Sequence, residues 1–441
     1  MTEALEARCP VPMRRKACGR SIVQLGSLPG LSDLSGVAPK RPDVCVMHSA
    51  DRPWRPDLGS GADAMFNHEL EAMRLRGDYD FSGFVFHSAT NFANVSYSVP
   101  TTFDRAIFKK KMNFSHAHFT SDVSFDGATF DEGVDFTQAY FGGGASFANA
   151  SFGPRSPTDD VSLYAPTKVA SFTGVVFAVP GRVTFRRVNH DSLQGFRLRA
   201  LGCNIEAVNF EDVGWHRENT RIVLQDELDL RAWSHKPRNS GVQAYVEHVA
   251  LQARYGSSDP QPTDVHGLIA AAYTRLVSNF DGQLNFDYAE DAFCGAMEMK
   301  RLDPQALPFR GVLARAYDRF PTLAVIARSV TLLSLYKLVS YYGSNYRRAL
   351  SILSMQLAAF AIVFAALGSV EIKADGPRGG RQEWNATSAA VLASLEIASF
   401  QRDRIAIVHG PWSNMVRMVE SIVIPSQLAI ALLAVRRRFK R

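Results

Sequence analysis

The side chains able to do reaction chemistry are scattered along this sequence and never grouped. Five cysteines, Cys9, Cys18, Cys45, Cys203 and Cys294, are odd in number and never form a C-x-x-C. That pattern gives neither a disulfide framework nor a zinc ribbon and suits a reducing compartment. The histidines are isolated, with His116 and His118 at corner or outward positions of a periodic segment, and Glu247-His248 is not part of an H-E-x-x-H zinc motif. Neither a G-x-x-x-x-G-K-[ST] phosphate loop nor a G-x-S-x-G nucleophile elbow occurs. Gly142-Gly143-Gly144 directly follows Phe141 and reads as a chain corner rather than a phosphate cradle. Asn385 opens an Asn-x-Thr acceptor, a pattern without meaning if the chain is bacterial. No catalytic, cofactor-binding or metal-ligating residue emerges, and the chain reads as non-enzymatic, with no cofactor.

With chemistry set aside, the informative signals are periodicity and charge. A length of 441 residues allows two or three domains. Hydrophobic residues at 46% and charged residues at 21% exclude a wholly disordered chain and a transporter of many helices. The formal charge of +6 by itself points to nucleic acid or anionic lipid as a partner. Phenylalanine is the outlier, with 29 copies against 5 Trp and 13 Tyr.

Twenty of those phenylalanines lie between Phe66 and Phe210. From residue 81 the aromatic positions are Phe81, Phe86, Phe92, Tyr97, Phe103, Phe108, Phe114, Phe119, Phe125, Phe130, Phe136, Phe141, Phe147 and Phe152, in alternating steps of 5 and 6. Two residues before the second aromatic of each unit stands a small or apolar residue, such as Ala106, Ala117, Ala128, Ala139 or Ala150. Apolar residues at i−2 and i, followed by Ser, Asp, Asn, Gly or Thr, fit a short extended segment and a tight turn. Stacking such coils buries a ladder that one repeat could not bury alone. An undecad coiled coil shares the 11-residue period, but Gly, Asp, Thr and aromatics are weak helix formers. Pro154, Pro157 and Pro166 mark an insertion loop at 153–171; the pattern resumes at Phe172 and Phe177 and ends near Trp215.

The segments 123–130 (ValSerPheAspGlyAlaThrPhe) and 145–152 (AlaSerPheAlaAsnAlaSerPhe) resemble the pentapeptide-repeat family in its Phe-centred form. The resemblance covers roughly residues 79–215. It implies a right-handed quadrilateral β-helix with four segments per coil, whose structural ladder is Phe103, Phe108, Phe114, Phe119, Phe125, Phe130, Phe136, Phe141, Phe147 and Phe152. The added residue in every second unit departs from the family pattern and bears on how regular the corners can be. Some soluble members imitate DNA and protect topoisomerases; the 13 basic and 16 acidic residues over 65–215 are too balanced for a DNA mimic.

Residues 1–64 lack periodicity and read as a mostly disordered extension, with Met65 an alternative start. Arg14, Arg15 and Lys16 are not followed by an apolar run, which argues against a cleaved signal peptide. After the repeat at 65–216, apolar spacings of three and four predict amphipathic helices at 242–254, 264–280 and about 286–301, with Asp264 able to cap the second. Tyr273–Phe280, Ala289–Phe293 and Met297–Lys300 resemble the helical linker of membrane-bound pentapeptide-repeat proteins, so 217–320 is expected to connect the repeat to a membrane part.

Ala349–Val370 is 22 residues long with Gln356 its only strongly polar member, enough to span a bilayer core of about 30 Å. Met418–Val435 is a second span, carrying Glu420 and Pro425. Arg347 and Arg348 precede the first; Arg436, Arg437, Arg438, Lys440 and Arg441 follow the second. By the positive-inside rule, the chain is a two-span protein of the bacterial inner membrane with both termini cytoplasmic. Residues 321–346 hold Arg328, Lys337, Tyr336, Tyr341 and Tyr342 among apolar residues and suit an interfacial helix. Within the membrane region at 347–441, the apolar stretch 387–400 is too short to cross and suits a re-entrant or interfacial helix.

A span, a short inner helix and a span resemble the layout of two-span cation channels. The run after Phe400 (GlnArgAspArgIle) contains no Thr-Val-Gly-Tyr-Gly-like filter, and on the channel reading Ser394, Glu396 and Ser399 face the pore. The expected function is a membrane-anchored scaffold or sensor with a cytoplasmic, partner-binding repeat. The alternatives are an oligomeric channel or pore, as a defence effector for example, and a membrane-tethered topoisomerase-protecting repeat. Membrane lipid and an unidentified protein are the expected partners, with homo-oligomers if the chain is channel-like. Nucleic acid loses support because five of the basic residues lie within the last six positions.

Overall fold

The computed structural model describes Met47 and residues 60–153, 169–190, 195–218, 221–234, 265–303, 307, 326–327, 329, 331–368, 370–372, 385–399 and 406–440. The expected insertion loop after Gly153, the helix at 242–254, the Asp264 cap and most of 1–64 and 304–331 lie outside the described residues. The chain forms two units, Met1–Met299 and Lys300–Arg441.

The first unit is built on a parallel β-solenoid of about five turns. The second aromatic of each unit ends a two-residue strand and the first directly follows one, and strands 22 residues apart pair in parallel, Val85 with Ile107 and Ile107 with Thr129. Four sheets result. Face one holds Val85–Phe86, Ile107–Phe108, Thr129–Phe130 and Ser151–Phe152; face two holds Ser96–Tyr97, His118–Phe119, Tyr140–Phe141 and Val176–Phe177. Face three runs from Thr101–Thr102 to Asn209–Glu211 and face four from Met112–Asn113 to Leu198–Arg199. Inside, the aromatics stack in columns at the pitch of the coils. Phe103, Phe125, Phe147 and Phe185 lie 5.0, 5.0 and 4.6 Å apart between centroids. Neighbouring columns meet edge to face, as in Phe114 against Phe125 at 84°. Both geometries suit the aromatic quadrupole. Each of the ten ladder phenylalanines is at most 2% exposed.

The extra residue in alternate units gives two kinds of corner that recur with the 11-residue period. After the first aromatic the chain makes a tight turn in which Ala106 N–H donates to Phe103 O, and Ala128 N–H to Phe125 O, both at 3.0 Å. The third residue of this turn is left-handed in every unit: Gly83, Asn94, Arg105, His116, Gly127, Gln138 and Asn149 have φ between 56° and 70°. That is the demand of a type II turn, and Gly and Asn meet it at least cost. His116 is such a corner. After the second aromatic the corner is wider. There Gly143 lets successive coils approach, since a Cβ on it would lie 2.5 Å from the Ser121 carbonyl carbon.

The insertion changes only the chain length between paired strands. Tyr140 pairs with Val176, 36 residues on, in the same sheet. Where the coil is interrupted, amide side chains stand in for the missing strands. Asn189 accepts from Phe152 N–H at 2.6 Å and donates to Phe152 O at 2.9 Å, and Asn204 does the same for Phe177 at 2.9 and 2.8 Å. Bare sheet edges are thereby satisfied.

Helices close both ends. α1 (Ser60–Leu75) lays the stripe Phe66, Leu70 and Met73 over the first coil, with Phe66 5.3 Å from the Phe86 ring. It begins inside the segment expected to be disordered; Met47, in the same segment, is buried and accepts from Val85 N–H at 2.8 Å. At the other end α2 (Gln225–Ser234), α3 (Val265–Gly282) and α4 (Phe286–Leu302) form a cap. The α3 stripe Ile269, Tyr273, Leu276 and Phe280 is buried, and Phe280 packs on Trp215 and Phe210. Capping of this kind is what a solenoid needs to protect its terminal coils.

The second unit contains α5 (Leu332–Ser340), α6 (Tyr346–Leu367), α7 (Ala386–Ala398) and α8 (Pro411–Lys440). Val370–Ile372 pairs antiparallel with Ala406–Val408. α6 and α8 are long and apolar enough to cross a membrane, and α7 is a shorter apolar helix between them.

Candidate functional site

Exposed ion pairs such as Lys109–Asp131 lie along the solenoid, and the buried pair Arg221–Glu227 lies at its C-terminal end. Asn279 Nδ2 donates to Ile205 O at 2.7 Å and Val208 O at 2.6 Å, and Arg275 Nη1 to Cys203 O at 2.9 Å. Glu227, fully buried, accepts from Arg221 Nη2 at 2.5 Å, from Tyr273 Oη at 2.6 Å and from Arg231. The Tyr273 hydroxyl also accepts from Leu224 N–H at 2.9 Å, so one buried network ties α2 and α3 to the last coil. Asp226 accepts from Ala200 N–H at 2.8 Å, and burial pushes its carboxyl up to about 7. Asp291 on α4, paired with Arg217 at 3.0 Å, is pushed up to about 6, again chiefly by burial. These groups are bonded to backbone and to one another across a packing interface. Their arrangement suits a joint more than a reaction centre.

The second unit gathers polar side chains between apolar helices. Small residues allow the approach: Ala349, Ala431 and Ala434 cluster between α6 and α8, while Phe364, Ala390, Ala393 and Ile397 pack with Ala406 and Val408 around α7. Asn345 caps α6 by accepting from Arg348 N–H at 2.9 Å, and Gly368 ends it in a left-handed conformation. Gln427 Nε2 of α8 donates to Ala349 O of α6 at 3.1 Å.

Each residue expected on the pore reading has a position here. Ser394 is buried; its hydroxyl donates to Glu420 Oε1 and lies 3.4 Å from Leu357 O. Glu396 is buried and its Oε2 accepts from Ala406 N–H at 3.0 Å. Ser399 is exposed and donates to Glu396 O at 3.1 Å. Ser394 and Glu396 thus point into the packing of one chain. Glu420 and Gln427 complete this polar interior and were not singled out by the sequence as its members. The signal available was a Glu and a Gln inside an apolar span; the partner 26 residues away on another helix carries none. Among the described residues no group of His, Cys, Asp and Glu could hold a metal ion.

Residues 103–151 match the family model of pentapeptide repeats in nine copies. With the four-sheet solenoid, this makes the repeat region a pentapeptide-repeat domain. The chain thus joins a pentapeptide-repeat β-solenoid to two candidate membrane-spanning helices in its C-terminal part. No curated protein and no solved structure matches it.

Proposed function

We propose that the chain is a membrane-anchored, non-enzymatic scaffold or sensor whose solenoid docks a protein partner. One observation carries this reading: the solenoid interior is filled by stacked aromatics and both its ends are closed by helices, so only the lateral faces remain for recognition. Among those, face two offers the most accessible outward ladder. Ser96, His118 and Val176 are exposed there, and the His118 ring lies 5.8 Å from that of Tyr140, tilted by 32°. On face one the outward Val85, Thr129 and Ser151 are buried.

The anchor in this reading is the pair α6 and α8, crossing the bacterial inner membrane with both termini cytoplasmic. Their apolar surfaces stand open, with Met355, Ile362, Met418, Ile422 and Leu432 each more than half exposed. α5 lies at the interface, turning Leu332, Leu335 and Leu338 outward beside Lys337. A photo-crosslinker placed at His118 or Tyr140 in cells should give a discrete protein adduct, and one placed at buried Ser124 should not. Absence of adducts from the exposed ladder would remove the docking reading.

A second reading, an oligomeric channel or pore, is favoured by the short α7 between the spans and the buried polar residues it carries. Planar-bilayer recording of the purified protein separates the two; absence of conductance at any voltage removes the channel.

A further inference from the structure

We propose that Glu420, supported by Ser394, is a proton-binding site inside the membrane unit. Glu420 is 0% exposed and Ser394 1%. One carboxyl oxygen accepts from the Ser394 hydroxyl, and the other has no hydrogen-bond partner. The Ser394 hydroxyl also faces Leu357 O of α6, and Gln356 Oε1, on the adjacent residue, is likewise buried without a partner.

An ionised carboxylate with a bare oxygen in such surroundings is costly unless a positive charge joins it. The helices packed here supply none. The charged and titratable groups whose side chains are described on them are Arg417 and Arg436 on α8, Arg347, Arg348 and Tyr346 on α6, Glu396 on α7, and Lys337 and Tyr336 on α5, with Tyr341 and Tyr342 after it and His409 before α8. Arg437, Arg438 and Lys440 lie about five turns from Glu420, at the far end of α8. None is bonded to the Glu420 carboxyl, whose one hydrogen-bond partner among the described residues is Ser394. Among the described residues the compensating charge is therefore missing, and a bound cation supplies it. Hard metal ions require about six oxygen ligands, and even with Gln356 Oε1 the described residues bring fewer: one carboxylate, one hydroxyl, one carbonyl and one amide oxygen. A proton needs only one lone pair, which the bare oxygen provides.

The test is site-resolved modification of the full-length protein in liposomes by dicyclohexylcarbodiimide. This reagent reacts with the acid form: the carboxyl proton passes to a carbodiimide nitrogen, a carboxyl oxygen bonds to its central carbon, and the adduct rearranges to a stable N-acylurea. Mass spectrometry should find the adduct on Glu420, at least about tenfold more at about pH 6 than at about pH 9, and not on Glu396, whose carboxylate is held by a backbone N–H. Sodium or potassium should not protect. Glu420→Gln, which keeps the shape of the side chain, should lose this adduct alone, and Ser394→Ala should keep it with an altered pH profile. No adduct at Glu420, a pH-independent one, or protection by either metal cation would overturn the assignment; an unchanged profile in Ser394→Ala would remove Ser394 from the site.

Discussion

Phe125 shows what a ladder position contributes. Its ring stacks on Phe103 and Phe147, both at 5.0 Å, and meets Phe114 and Phe136 edge to face. Replacing it with alanine removes a buried side chain from a column fixed by coils above and below, so the cavity cannot collapse. Phe125→Ala should cost about 3–5 kcal/mol, measured by urea unfolding followed by far-ultraviolet circular dichroism. Phe125→Asp should abolish several coils, because a lone charge in the dry column costs far more; an unchanged melting temperature in that variant would contradict the inward assignment. These positions were readable in the sequence because one residue type recurs at fixed spacing. The corner at Gln138 was not, since a left-handed φ of 58° at a non-glycine residue leaves no mark in composition.

Asp226 acts through the joint between the last coil and its helical cap. Its carboxyl titrates near 7 in the fold against an ordinary value of 3.8, mainly because it is buried. The folded protein keeps that proton where the unfolded chain has lost it. The associated stabilisation is complete below pH 3.8 and is lost as pH rises through about 7. Asp226→Asn retains an acceptor for Ala200 N–H without the ionisation. The variant should match the wild type at about pH 4 and exceed it by on the order of 2–4 kcal/mol at about pH 8. Urea unfolding at both values, with amide exchange at Ala200, measures this; a gain at the lower pH would refute the mechanism. The helices α3 and α4 were legible from their apolar spacing, but their role as a cap was not. Asn279 reaches carbonyls 71 and 74 residues away, and α1 has only the short stripe Phe66, Leu70, Met73 to announce it.

Across the whole chain, the proposed topology rests on charge beside the two candidate spans. Basic residues before α6 and after α8 predict the same side for both flanks. Reporters fused at Met1 and at Arg441 should both score cytoplasmic, and an external signal from either would overturn the two-span arrangement. The two long apolar helices were legible because hydropathy and length suffice to mark them. The Ser394–Glu420 pair was not, because two helices must first pack before it exists.

The 22-residue offset between paired strands has a further consequence. A coil is the smallest portion of the chain that can be removed or added without moving any aromatic out of its column, and each is worth one ring-to-ring step of about 4.8 Å. Between two fixed end-caps the repeat is therefore a gauge graduated in coils. Selection could reset its length by whole duplications, keeping the face pattern intact, whereas a loss of eleven residues would turn every later face to the opposite side.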